Sequence, residues 1–114
     1  MESILTSIKK LLGIAKDYKH FDDDIIMHIN TVFLSLAQLG VGPETGFSIE
    51  DDSAEWTEFL TADHKLFEAA KSYVYLKVRL LFDPPTSSAV MEAINRNISE
   101  IEWRLTVAAE PKTE

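Results

Sequence analysis

The chain contains no cysteine, which excludes a disulfide framework and any thiolate metal site and leaves the redox compartment open. It also lacks any apolar run near the ~20 residues that a bilayer-spanning helix needs. Met1-Glu2-Ser3-Ile4-Leu5 has no basic stretch leading into an unbroken apolar one, so the chain is expected to be soluble, unprocessed and free of membrane contact. Basic residues are few, 11 Lys and Arg against 19 Asp and Glu for a net charge of −8. That balance argues against a body that grips phosphates, which requires a clustered basic surface. Glycine is sparse as well. Gly42 and Gly46 are not followed by Lys-Ser or Lys-Thr before a helix, so no phosphate-cradling loop is present.

What remains is enough for a core. With 114 residues, 46% of them hydrophobic and 26% charged in mixed sign, the chain reads as one folded domain over residues 1–109 with a polar tail over 110–114. Ile4, Ile8, Leu11 and Leu12 recur at helical spacing with Lys9 and Lys10 between them, predicting a first amphipathic helix from Glu2 to Leu12. Asp22, Asp23 and Asp24 suit the start of a second helix. Its apolar stripe is Ile25, Ile29, Val32, Phe33, Leu36 and Leu39, with Gly40 as its C-cap. Val41 to Gly46 is turn-rich, and Phe47-Ser48-Ile49 alternates, so a short extended piece or hairpin is expected near residues 41–50. Ser53 is read as the cap of a short helix to Leu60 in which Trp56 and Phe59 face the core together.

Asp63 is expected to open a long central helix that is apolar on most of its circumference and ends before Pro84 and Pro85. Such a helix belongs in the middle of a bundle. The last helix, from Ser87, carries Met91, Ile94, Ile98, Ile101 and Leu105 on one seam, and the short connection makes it antiparallel to the central one. Tyr73, Val74, Leu80, Leu81, Ile94, Ile98 and Ile101 are then expected to share a core. The fold class is therefore mainly α, a small helical bundle.

Reaction chemistry is hard to find. His20, Asp22, Asp23, Asp24 and His28 are the densest set of possible metal ligands, but their spacing is neither a zinc nor a calcium pattern, and helix capping is preferred. His64 and Glu68 read as a surface ion pair. No nucleophile sits beside a base, so no enzyme activity, cofactor or metal is expected. Lys71, Lys77 and Arg79 could meet acids of a neighbouring subunit or simply snorkel. Trp103 falls about 160° from its helix's seam and is either an interface side chain or a cover for the first helix.

Several stretches resemble the head-tail connector (head-completion, adaptor) proteins of long-tailed bacteriophages. The strongest are Leu80-Leu81-Phe82-Asp83-Pro84-Pro85 and Glu102-Trp103-Arg104-Leu105. The Val41-Gly42-Pro43 turn leading to Gly46-Phe47-Ser48-Ile49, together with Trp56 and Phe59, adds to them. The resemblance implies a structural virion protein assembled in the host cytoplasm, a dodecameric ring of identical copies under the portal. It further implies an extended DNA channel without sequence-specific binding and a docking surface for a stopper or tail-completion protein. Val41, Pro43, Phe47, Ile49, Lys71, Lys77, Arg79, Trp103 and Arg104 are the expected interface residues, with the tail after Val107. Two other classes remain open: a cytosolic helical adaptor or regulator unrelated to virions, and a small metal-dependent enzyme using His20 to His28.

Overall fold

A helix that is apolar on most sides must be wrapped, and the chain wraps this one. The computed structural model describes residues 3–61 and 64–109. Its helices are α1 (Ile4–Leu11), α2 (Asp22–Gln38), α3 (Trp56–Phe59), α4 (His64–Phe82) and α5 (Ser88–Ala109). α4 packs against α1, α2 and α5 and buries Ala70, Tyr73, Val74 and Val78. The expected helix start at Asp63 and the tail over 110–114 lie outside the described residues.

Each helix begins and ends for a local reason. Ser3 caps α1, its hydroxyl accepting from the Thr6 N–H at 3.2 Å. α2 ends in a paired closure, with Val41 N–H donating to Leu36 O at 2.9 Å and Gly40 N–H to Ala37 O at 3.0 Å. That closure needs the left-handed backbone that Gly40 supplies at φ +85°. Gly42 answers a second demand: at φ +91°, a Cβ there would lie 2.6 Å from the Phe59 ring. α3 is capped by Glu55 and not by Ser53, because Glu55 and Glu58 form a reciprocal capping box. The Ser53 N–H and hydroxyl instead both donate to Asp51 Oδ1, at 2.8 and 2.6 Å.

The excursion over residues 41–50 is present, but no strand forms in it among the described residues. The reason is a side chain. Asn30 of α2 donates to Ile49 O at 3.0 Å and accepts from Ile49 N–H at 2.7 Å, so its amide satisfies the backbone groups that a strand partner would have met.

One core runs through the molecule, from Ile4 and Ile8 through Phe33, Trp56 and Val74 to Ile98 and Leu105. Of the shared core expected between α4 and α5, Tyr73, Val74, Ile94 and Ile98 are buried, while Leu80 and Ile101 are half-buried. Leu81 is a correction, being 49% exposed. It lies seven residues past Val74 on the same helix face; that face is covered around Val74 and left open two turns on. Among the described residues His64 and Glu68 form no ion pair; both are exposed.

Candidate contact surface

The residues expected to make contacts divide by burial. Val41 and Ile49 are 4% and 3% exposed. No neighbour can reach them in this fold. Phe47 is half-buried, its ring edge-on to Phe33 at 5.3 Å and tilted on Phe59 at 5.6 Å. These three side chains pin the excursion to α2 and α3, leaving Pro43, Glu44, Thr45 and Ser48 as its reachable part. An alternating apolar pattern fits a pinned loop as well as a contact loop.

On α4, Lys71, Lys77 and Arg79 are all half-buried. The Lys77 ammonium lies 5.6 Å from the centre of the Tyr73 ring, one turn back. Arg79 borders a shallow cleft with Leu11, Leu12, Tyr75 and Asp83. On α5, Arg104 is exposed and donates to Glu100 at 2.7 Å. Trp103 stands out from the opposite side to Ile94, Ile98 and Leu105 and is 68% exposed, so it does not cover α1.

Lys9 is what the sequence reading missed. It is 2% exposed, and its ammonium reaches Asp22 Oδ1 at 2.7 Å, Lys16 O at 3.1 Å and Tyr18 O at 2.6 Å. Three oxygens meet the three ammonium hydrogens. Asp22 therefore closes this lock as well as opening α2, and Asp22 Oδ1 takes no other hydrogen bond. Around it, His20 packs edge-on to Phe21, and Phe21 and His28 both face Phe82. The polar and aromatic side chains of this region hold the α1–α2 connection against α4.

A second polar link joins α4 to α5. The Tyr73 hydroxyl donates to Glu102 Oε2 at 2.7 Å. Burial pushes the phenol well above its ordinary range, and the Glu102 carboxylate that accepts its hydrogen bond pushes it further. The folded chain thus holds this proton more tightly than the unfolded chain. Its contribution to stability is fully present below the ordinary tyrosine value of about 10 and is lost as pH rises through the higher folded value. Tyr73→Phe is expected to cost about 1–2 kcal/mol at neutral pH. In urea unfolding followed against pH, the gap from wild type should shrink above about pH 10; a gap that widens there would contradict the assignment.

Among the described residues no group of three or more His, Asp or Glu could hold a metal ion, and no helix is long and apolar enough to cross a membrane. The side chains do packing, capping and surface display. The fold is that of a small helical bundle with apolar side chains left exposed on its outer faces. Compared with protein families, the chain matches the one described as phage connector protein over residues 4–112, and it belongs to that family. It is thereby a structural connector component of a phage particle, of a kind that associates with portal and tail proteins. No curated protein and no solved structure matches it significantly.

Proposed function

We propose that copies of this chain form a ring beneath the portal, prolong the channel through which DNA passes, and present the surface on which a stopper or tail-completion protein docks. The family match across 4–112 carries this reading. The net charge of −8 supports it, since an acidic wall repels a polyanion and keeps DNA from sticking while it moves. An indole left 68% exposed on the last helix supports it too, tryptophan being a frequent anchor of protein contacts. In a dodecamer assembled in the host cytoplasm, twelve copies of a modest contact close cooperatively on a symmetric portal.

The reachable excursion residues, the Trp103 face and the tail after Val107 are the contact surfaces of this reading, with Lys71, Lys77 and Arg79 as further contact residues on α4. Phage carrying Trp103→Ala should join tails to DNA-filled heads at least about tenfold less efficiently, because losing an anchor of ~2 kcal/mol or more weakens each contact by more than a factor of ten. Ending the chain at Ala109 should also lower joining. Normal joining in both variants, with the fold retained, would remove these surfaces from the mechanism.

A further inference from the structure

Two helix faces carry apolar side chains that are exposed among the described residues. On α2, Met27 and Leu34 are 58% and 64% exposed. Seven residues apart, they share an outer stripe with Asp23, Thr31 and Gln38, all exposed. On α5, Trp103 and Val107 are 68% and 47% exposed, four residues apart, and share an outer stripe with Arg96. α4 lies between these two helices. Its Tyr73 meets Glu102 of α5, while its Phe82 meets Phe21 and His28 at α2. The stripes therefore stand on different outer edges of one layer, α2–α4–α5.

Their charges differ in a useful way. α2 itself contains no Lys or Arg, and the nearest in sequence, Lys19, precedes its first turn, so the α2 edge offers the exposed Asp23 and Asp24 with no cation along the stripe. The α5 edge offers Arg96 and Arg104. Both are held by exposed pairs within the helix, with Glu92 at 3.5 Å and Glu100 at 2.7 Å, and such pairs are exchanged at little cost. Two α2 edges facing each other would leave these carboxylates without a cation from the facing edge, and a two-fold contact would stop at a dimer.

We infer that the α2 edge of one copy seats against the α5 edge of the next, Met27 and Leu34 meeting Trp103 and Val107, with Asp23 and Asp24 near Arg96 and Arg104. The contact is head-to-tail, so it propagates from copy to copy until a ring closes. It rests on the ring proposed above and names the two surfaces that would build it.

The absence of native cysteine makes a clean test. Thr31→Cys on α2 and Ser99→Cys on α5 replace small exposed residues beside the two stripes and spare the apolar anchors. The full-length variants are bound to purified portal rings, treated with a short bis-maleimide and run on a denaturing gel. The double variant should give a ladder of multimers, each single variant monomer only, and a mixture of the singles dimers only. Adding Trp103→Ala to the double variant should abolish the ladder. Portal-bound double variant without a ladder, or dimers from either single variant, would overturn the head-to-tail contact while leaving the connector reading intact. Failure of the wild-type chain to bind portal rings would overturn both.

Discussion

Lys9→Met is expected to destabilise the fold by about 3 kcal/mol, a large share of a small domain's total. The substitution keeps most of the aliphatic stem, so packing is largely preserved. It removes the one donor that meets Asp22 Oδ1, Lys16 O and Tyr18 O together. Asp22 keeps 17% side-chain exposure, which lets water recover part of the loss and holds the cost to the lower end of the range for a broken buried pair. The effect should be coupled: in an Asp22→Asn background, Lys9→Met should cost measurably less, because no uncompensated carboxylate remains. Equal costs in both backgrounds, read from urea midpoints, would show that the ion pair adds nothing.

Trp56→Ala is expected to cost more, about 3–5 kcal/mol. Trp56 is 1% exposed, and its ring meets Phe33, Phe59 and Phe67 at 6.3, 6.5 and 5.9 Å. One side chain thus joins α3 to α2 and α4. Its indole N–H donates to Ser7 Oγ at 2.7 Å, and that hydroxyl donates onward to Ile4 O at 3.0 Å, which ties in α1. Truncation leaves a large void and a buried hydroxyl short of a partner. Trp56→Phe should fall between, keeping ring contacts and losing the donor. An urea midpoint for Trp56→Ala within error of wild type would contradict the placement of α3 at the centre of the core.

The periodic features were legible because burial writes itself into spacing. The stripes of α2 and α5, and the all-round apolar character of α4, each reflect a face that must leave water. That Trp103 lies off its helix's seam followed from an angle alone, but its exposure did not, since the same angle also fitted a side chain covering α1. Features held by single polar partners were not legible: Lys9 looks like any lysine between apolar neighbours, and two of its three acceptors are backbone carbonyls that carry no residue signature. The excursion misled for a related reason. Phe47-Ser48-Ile49 alternates like a strand, but Asn30, 19 residues away, supplies the pairing. Ser53 looked like the cap for α3 because Glu55 is an uncommon one. Contact residues were the least legible, since a surface that meets a partner obeys the partner's shape and not the chain's own period.

The connector function is tested most directly by reconstructing the portal vertex of DNA-filled phage heads made with and without this protein. A connector predicts an added ring of density beneath the portal, into which this helical fold can be placed, in the heads that contain it. Heads made without it should lack that ring and fail to join tails. An identical vertex in both preparations, with tails joined normally, would contradict the assignment.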